Sequence, residues 1–175
     1  MDLAKLESAA AVDYTKTVDI NILLHEIYKD ALTYDRNRHC ISLAIEDEQK
    51  DISTVSKLYG CYEELQMAIS NLVTNAIRYT SEQGDIKIFT NAHEAGISIC
   101  VQDSGIGISK EHIPRLTERF YRVDAGRSRE LGGTGLGLSI VKQVLDRHNA
   151  TLAIQSIPGE GSTFCCNFPL SSIKQ

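Results

Sequence analysis

Tryptophan is absent from the 175-residue sequence, and so is any apolar run of 18 residues. The second absence excludes a segment of this sequence long enough to cross a membrane as a helix. The first residues also lack the apolar stretch of a secretory signal. Basic residues are outnumbered by acidic ones, 18 to 23, and a net charge of −5 argues against a protein that holds duplex DNA by its phosphates. We therefore expect a soluble, cytoplasmic chain without a nucleic-acid partner.

Cysteines spaced for metal binding are missing as well. No two cysteines form a CxxC pair and the five histidines are scattered, so a zinc site is not expected. The cysteines are odd in number, and we expect them to be core thiols of a protein in a reducing compartment. They are Cys40, Cys61, Cys100, Cys165 and Cys166.

Apolar periodicity in the rest of the sequence predicts three helices and five or six strands. One helix begins after a capping Asp19, a second extends from Glu63 to Tyr79, and a third extends from Thr134 to His148. The strands come mostly in antiparallel pairs with helices between them. This order predicts an α/β fold, namely a two-layer α/β sandwich in which a mixed sheet of about five strands carries three helices on one face.

Two asparagines interrupt the apolar character of the second helix. Asn71, Asn75 and Arg78 follow one another at intervals of four and three residues, so their side chains share one face. Asparagine is a mediocre helix former, and its presence here needs a reason. Either this face is simply solvated, or it offers a carboxamide oxygen to a hard cation such as Mg²⁺.

The segment DSGIGI begins at Asp103, where an apolar predicted strand ends. It is either a plain strand-ending turn or a binding element. In the second interpretation a partly buried Asp103 accepts a hydrogen bond from an exocyclic amino group such as that of adenine. Gly105 and Gly107 would then let the backbone approach the base closely.

Glycines also precede the third helix, in the stretch GGTGLG. The spacing is neither that of a Walker A loop nor that of the dinucleotide fingerprint, because glycines stand at alternate positions, Gly133, Gly135 and Gly137. A helix N-terminus presents free N–H groups and a partial positive charge, so it can seat a phosphate. A flexible linker fits less well, because the glycines stop where the apolar stripe of the helix begins.

Between Gly107 and Gly133 the sequence loses its periodicity for 25 residues. A segment of that length in a compact domain is usually a lid or a disordered insert. Guanidinium groups suit polyphosphate oxygens, and the segment is rich in them. Together with the glycines they favour a lid, over about residues 106–132. The arginines are Arg115, Arg119, Arg122, Arg127 and Arg129.

In this order the segments resemble a known family. NLVTNAIRY resembles the N box of sensor histidine kinases, DSGIGI the G1 box, ERFYRVD the F box and GGTGLGLSIVK the G2 box, over roughly residues 14–170. The resemblance implies the ATP-binding (Bergerat-type) sandwich shared with gyrase, the Hsp90 chaperones and the mismatch-repair ATPases. It implies a catalytic domain over residues 11–172 that binds Mg²⁺ and ATP and transfers the γ-phosphoryl group to a histidine.

Residue by residue, the resemblance makes Asn75 the Mg²⁺ ligand and places Asn71 one turn before it. Arg78 stands where the family usually has a phosphate-contacting lysine, and these three residues form the implied catalytic set. The implied nucleotide-binding residues are Asn75, Arg78, Tyr79, Asp103, Gly105, Gly107, Ile108, Phe120, Arg122, Arg127, Gly133, Thr134, Gly135, Leu136, Gly137, Leu138 and Thr163.

Two departures from the family pattern refine the expectation. ATP-hydrolysing members of the superfamily carry a glutamate at the place of Asn71, and a carboxamide cannot act as a base, which favours transfer over hydrolysis. Thr117 replaces the usual first phenylalanine of the F box, a variant that resembles the phosphate-regulon sensor kinases of Gram-negative bacteria.

The phospho-accepting histidine of the family is not recognisable, since His25 in LLHEIYKD lacks its usual neighbours. We therefore expect the catalytic part of a longer, homodimeric inner-membrane sensor, with residues 1–10 the tail of its dimerisation helix. Its partners would be its own dimerisation and phosphoacceptor domain and a cognate response regulator. Two alternatives stay open: a degenerate ATP-binding regulatory module, and a serine kinase of the anti-sigma type.

Overall fold

The computed structural model of the chain describes residues 12–13, 15–45, 57–123 and 134–174. In these ranges lie three α-helices and seven β-strands. The helices are α1 (Ile20–Asp35), α2 (Tyr62–Tyr79) and α3 (Gly137–Arg147). The strands are β1 (Thr17–Asp19), β2 (Cys40–Ala44), β3 (Lys57–Tyr59), β4 (Asp85–His93), β5 (Gly96–Asp103), β6 (Thr151–Ile157) and β7 (Gly161–Pro169). The expected helical tail over residues 1–10 lies outside the described residues.

Five of the strands form one mixed sheet in the order β2-β4-β5-β7-β6. β2 and β4 are parallel, and the other neighbours are antiparallel. The short β1 and β3 pair separately as a two-stranded sheet, which the sequence analysis did not anticipate. The helices pack on one face of the large sheet: α1 contacts β2, α2 contacts β4 and β5, and α3 contacts β6. This confirms the predicted two-layer α/β sandwich.

The core lies between the helices and the sheet because alternate residues of each strand point to the same face. Alternate positions of β5, at Ile97, Ile99 and Val101, are buried there. The predicted apolar stripe of α2 covers them, and burial of each large side chain stabilises the fold by about 1.5–3 kcal/mol. The stripe consists of Leu65, Ala68, Ile69, Leu72, Val73, Ala76 and Ile77.

The first residues of α1 and α3 are each set by a local feature of the sequence. α1 begins as predicted, since the Asp19 carboxylate accepts the Ile22 N–H at 3.1 Å. α3 begins at Gly137 rather than at the predicted Thr134. Gly135 has a φ of 71°, and this left-handed conformation cannot belong to a right-handed helix, so the helix starts after it.

A disulfide joins Cys100 of β5 to Cys165 of β7. The two residues are directly opposite each other in the antiparallel pair, with their Cα atoms 4.1 Å apart. The prediction that every cysteine is a thiol is therefore wrong for this pair, because only the strand register reveals that the two sulfur atoms meet. Cys40, Cys61 and Cys166 are free, and burial raises the pKa of Cys166 to about 12.

His148, at the end of α3, is buried and neutral. Its Nδ1–H donates to the Val144 carbonyl oxygen at 2.8 Å, and its Nε2 accepts the Cys61 N–H at 3.1 Å. The neutral ring thus satisfies both contacts, since one nitrogen donates a hydrogen bond and the other accepts one. Burial lowers the pKa of His148, because the charged imidazolium would be poorly solvated there.

We expect this histidine to make the fold sensitive to acid. Below about pH 6.5 the unfolded chain takes up a proton that the folded chain resists, so the free energy of unfolding falls as the pH is lowered. Thermal unfolding measured at about pH 7.5 and about pH 5.5 should show a smaller decrease in His148→Asn than in the parent. The exposed His25, changed to Asn, is the matched control and should follow the parent; equal slopes in all three chains would contradict the expectation.

Candidate functional site

A cleft of about 470 Å³ opens between α2, the end of β5 and the start of α3. Its volume lies in the usual range for small-molecule sites. Residues that are far apart in sequence meet in it, as the order of the motifs predicted. The predicted residues that line it are Asn71, Asn75, Arg78, Tyr79, Asp103, Gly107, Ile108, Arg122, Thr134, Gly135, Gly137 and Leu138.

The two asparagines of α2 lie where α3 crosses it. The Asn71 Nδ2 donates to the Met67 carbonyl oxygen of its own helix at 2.8 Å. A Cβ atom added to Gly137 would lie 3.0 Å from Asn71 Oδ1, so the glycine allows α3 to begin close against this face. The Asn75 carboxamide lines the cleft and makes no hydrogen bond to another described residue, which leaves its oxygen available to a ligand.

Asp103 ends β5 at the floor of the cleft and is only 8% exposed. Its Oδ1 accepts the Gly105 N–H at 2.9 Å, and the Ser162 N–H also donates to the carboxylate. Burial raises the pKa of Asp103, and the two backbone donors offset this only in part. The carboxylate is therefore held in one orientation with acceptor capacity remaining toward the cleft.

The glycines after Asp103 let their loop approach neighbouring protein backbone closely, whereas the sequence analysis expected them to allow close approach to a base. A Cβ atom on Gly105 would lie 2.4 Å from the Tyr79 carbonyl oxygen, which also accepts the Ile106 N–H at 3.2 Å. Gly107 has a φ of 65°, and a Cβ atom there would lie 2.0 Å from the Ile157 carbonyl oxygen. The loop thus rests on the end of α2 and on the end of β6, which fixes the position of the cleft floor.

Tyr121 lines the cleft from the lid segment. Its hydroxyl is hydrogen-bonded to His112 Nδ1 at 2.7 Å, and the Arg115 guanidinium lies 4.2 Å from the centre of its ring. Arg115 is in turn paired with Glu118. Next to this anchored tyrosine, the Nη2 of Arg122 is buried without a hydrogen-bond partner in the described part of the chain. An unpaired buried guanidinium nitrogen at a cleft wall favours an anionic ligand.

The start of α3 faces the same cleft. Its N-cap residue, Leu136, makes no side-chain capping hydrogen bond. The Ser139 hydroxyl donates to the Leu136 carbonyl oxygen at 2.8 Å. The first N–H groups of this 11-residue helix therefore keep their donor capacity.

No helix in the ranges that the structure describes has the length and apolar character needed to cross a membrane.

Residues 60–172 match the family described as Histidine kinase-, DNA gyrase B-, and HSP90-like ATPase. The chain belongs to this family of ATP-binding domains. Over 174 residues the chain is 47% identical to the phosphate regulon sensor protein PhoR of Pseudomonas aeruginosa. Over 170 residues it is 38% identical to the sensor-like histidine kinase SenX3 of Mycolicibacterium smegmatis. These alignments cover 99% and 97% of the chain but 38% and 42% of the relatives, so the chain spans about two-fifths of their length.

Solved structures of similar fold include full-length ShkA in complex with AMPPNP, with a TM-score of 0.77 and 24% identity over 95% of this chain and 33% of that one. The mycobacterial sensor histidine kinase MprB has a TM-score of 0.72 and 20% identity over 89% of this chain and 99% of that one. At these identities the likeness establishes the shared α/β sandwich.

Four predicted site residues of the ATPase domain do not line the cleft: Gly105, Phe120, Leu136 and Thr163. The first three lie next to lining residues and help to fix their positions. Gly105 N–H orients Asp103, Leu136 precedes α3, and the Phe120 N–H donates to the Gly135 carbonyl oxygen at 3.0 Å while its ring is 70% exposed. Two further predicted residues, Arg127 and Gly133, lie outside the described residues.

The position of Thr163 differs from the expectation by one residue. Ser162 pairs with Asp103 across β5 and β7 and lines the cleft. Successive strand residues point to opposite faces, so Thr163 faces away from the cleft, and Ser162 holds the cleft-lining position that was expected for Thr163.

Ten further residues line the cleft that the sequence motifs did not predict. Most adjoin a predicted one along the chain or along the same face of α2, as Thr74 does between Asn71 and Arg78, and that adjacency was the available signal. Tyr121 stood in the sequence beside the predicted Phe120. The ten are Thr74, Ala76, Thr80, Ser81, Ile106, Leu116, Tyr121, Val123, Ser162 and Phe164.

Proposed function

We propose that this ATPase domain binds Mg·ATP and transfers the γ-phosphoryl group to a histidine on a separate dimerisation domain, in a kinase of phosphate-starvation signalling. The observation that carries the proposal is the buried Asp103 carboxylate, oriented by two backbone N–H groups at the floor of a cleft of nucleotide size. The similarity to PhoR supports the signalling context.

Asp103 is suited to an adenine base. An ionised carboxylate only accepts hydrogen bonds, and the exocyclic amino group of adenine donates them. Guanine presents a carbonyl oxygen at the equivalent position, which the carboxylate would repel. Since the Gly105 and Ser162 N–H groups hold the carboxylate in place, little rotational freedom is lost when the base binds.

Asn75 fits the role of a magnesium ligand. Mg²⁺ takes hard oxygen ligands and keeps much of its shell of water and phosphate, so one carboxamide oxygen suffices from the protein. When bound, the ion would supply charge neutralisation for the phosphates of ATP. The Asn75 side chain is not engaged by another described residue and faces the cleft, which supports this assignment.

Positive groups around the cleft would hold the triphosphate. The uncapped start of α3 offers N–H donors, Arg122 offers an unpaired guanidinium nitrogen, and Arg78 lies on the asparagine face of α2. These groups bind and orient the phosphates, and phosphoryl transfer depends mainly on such positioning and charge neutralisation.

Asn71 supports transfer to a supplied nucleophile rather than to water. A carboxamide cannot take a proton from water, and its amide nitrogen already donates to Met67. We therefore assign the nucleophile to the protein's own phosphoacceptor domain. The full protein would be a homodimeric inner-membrane sensor, with this domain in the cytoplasm, that phosphorylates a response regulator of the phosphate regulon.

The direct test is a phosphotransfer assay with the 175-residue chain. We expect no acid-labile phosphohistidine when the chain is incubated with Mg·ATP alone, and labelling of a dimerisation domain that is added in trans. His25 lies exposed on α1 with its Nδ1 bound to the Asn21 carbonyl oxygen at 2.7 Å. Labelling of the isolated chain that His25→Gln abolishes would contradict the assignment of the acceptor to another domain.

Asn75→Ala should remove the Mg²⁺ dependence of triphosphate binding. The variant loses the carboxamide oxygen but keeps the helix, since alanine is the better helix former. Titration calorimetry with a non-hydrolysable ATP analogue, with and without Mg²⁺, measures this difference. Asn21→Ala, on α1 and outside the cleft, is the control and should respond to Mg²⁺ as the parent does. A normal response in Asn75→Ala would place the ligand elsewhere.

A further inference from the structure

Three polar residues form a row across the sheet at the floor of the cleft. Asp103 of β5 is directly opposite Ser162 of β7, and Ser162 is directly opposite Ser156 of β6. Ser156 shares the face of the sheet that carries the helices, since Ile154, two residues before it, packs against the core. Asp103 and Ser162 line the cleft, whereas the partly buried Ser156 does not. The row therefore extends one strand beyond the lining residues.

The Ser156 hydroxyl is the centre of three polar contacts. Its Oγ accepts the Ile108 N–H at 2.7 Å and donates to the Gly161 carbonyl oxygen at 3.0 Å. The Ser162 Oγ lies 2.9 Å from the same Ser156 oxygen. Ile108 belongs to the loop after Asp103 and lines the cleft, and Gly161 is the first residue of β7. One hydroxyl group thus joins that loop to the strand that carries Ser162.

These contacts decide which way the Ser162 hydroxyl points. The Ser156 hydroxyl has a single proton, and the Gly161 carbonyl oxygen can only accept one. The Ile108 N–H occupies one of the two Ser156 lone pairs, so one lone pair remains. All three contacts are hydrogen bonds when Ser162 donates its proton to that lone pair.

A Ser162 hydroxyl that donates to Ser156 keeps its own lone pairs for a ligand in the cleft. The carboxylate of Asp103, directly opposite it, also accepts hydrogen bonds. The Ser162 N–H is already donated to that carboxylate. The floor therefore presents two oxygen acceptors side by side, which complement an amino group with two protons and repel a carbonyl oxygen.

We propose that Ser156 is a positioning residue for base selection, because it holds the Ser162 hydroxyl as an acceptor beside Asp103. The inference rests on the proposed binding of ATP in this cleft and deepens it. The exocyclic amino group of adenine fits the pair of acceptors, whereas hypoxanthine has a carbonyl oxygen at the same place. Without the Ser156 hydroxyl, Ser162 can turn its proton toward the cleft and donate to that carbonyl oxygen, so the preference for adenine falls.

The test compares the affinities of the 175-residue chain for the β,γ-imido analogues of ATP and of ITP, each with Mg²⁺, by titration calorimetry. Ser156→Ala should reduce the preference for the adenine analogue by about fivefold to tenfold, the effect of one hydrogen bond of ordinary strength. Ser156→Thr keeps the hydroxyl, and threonine suits a strand, so this variant should restore the preference of the parent. A role in stability alone would weaken both analogues equally and leave the preference unchanged.

Ser162→Ala supplies a second arm, because Ser156 is proposed to act through the Ser162 hydroxyl. This variant should also lower the preference for adenine, and the addition of Ser156→Ala should lower it no further, since residues that act as a unit are not additive. Ser98→Ala is the matched control. Ser98 is a buried serine of β5 outside the cleft whose Oγ donates to Asn167 Oδ1 at 2.7 Å, and its variant should keep the preference of the parent.

Two results would overturn the role of Ser156: an unchanged preference in Ser156→Ala, or a further decrease in the double variant. An unchanged preference in Ser162→Ala would do the same, and this arm does not depend on the folding of the Ser156 variants. Equal affinity of the parent for both analogues, or no binding of either, would instead overturn the proposed binding of ATP.

Discussion

Asp103→Asn lowers the affinity for an ATP analogue by about 100-fold or more, on the expectation that a buried carboxylate is the acceptor for the base. The asparagine keeps the size of the side chain and can still accept the Gly105 N–H. Its amide group, however, would place donor against donor toward an exocyclic amino group. The variant therefore removes recognition without creating a cavity.

The same substitution should leave stability unchanged or raise it. Because burial raises the pKa of Asp103, the ionised carboxylate is less favourable in the folded chain than in the unfolded chain, and this cost is present at neutral pH and absent in acid. Thermal unfolding thus distinguishes lost recognition from lost structure. Asp85→Asn, at the exposed start of the adjacent β4, is the control for charge. Unchanged affinity in Asp103→Asn would refute the assignment of the adenine contact.

Gly161→Ala is expected to have the largest effect on stability. Gly161 has a φ of 118°, which L residues rarely adopt, and a Cβ atom there would lie 2.0 Å from the Asp103 carbonyl oxygen. Backbone strain and this contact together should cost about 3 kcal/mol or more of unfolding free energy. Nucleotide affinity should fall too, because the contact would separate the ends of β5 and β7, where Asp103 is paired with Ser162.

Gly159 offers a matched comparison in the same turn. Its φ is 84°, but a Cβ atom there would meet nothing within 4 Å. Gly159→Ala should therefore cost only the backbone term, about 1 kcal/mol, and leave the affinity near that of the parent. Urea unfolding of both variants measures the difference. Equal losses would show that backbone strain, rather than the contact with Asp103, dominates at Gly161.

Much of the fold follows from local patterns. The apolar stripe of α2 and the Asp19 cap of α1 are set by residues within a few positions of one another, so periodicity was enough to predict them. β3 has three residues and pairs with the equally short β1, and such strands carry no measurable alternation. The start of α3 depended on the φ of Gly135, which composition does not reveal.

The site was less predictable where a residue's position depends on which face of a strand it occupies or on a partner that is distant in the sequence. A shift of one residue moves a strand side chain to the other face, and this separates Ser162 from Thr163. The Cys100–Cys165 bridge depends on the register between two strands, and its cysteines are 65 residues apart in the sequence. The hydrogen bond between the His39 ring and the Thr80 carbonyl oxygen joins residues 41 positions apart, and no periodic pattern in the sequence predicts it.

The cross-link between β5 and β7 also decides how the domain would respond to cleavage. The chain from Cys100 to Cys165 forms a covalent ring that contains Asp103, the described part of the lid segment and α3. A single protease cut anywhere between the two cysteines opens this ring but releases no fragment, since both pieces stay joined through sulfur. The nicked domain would therefore migrate as two bands after reduction and as one band without it.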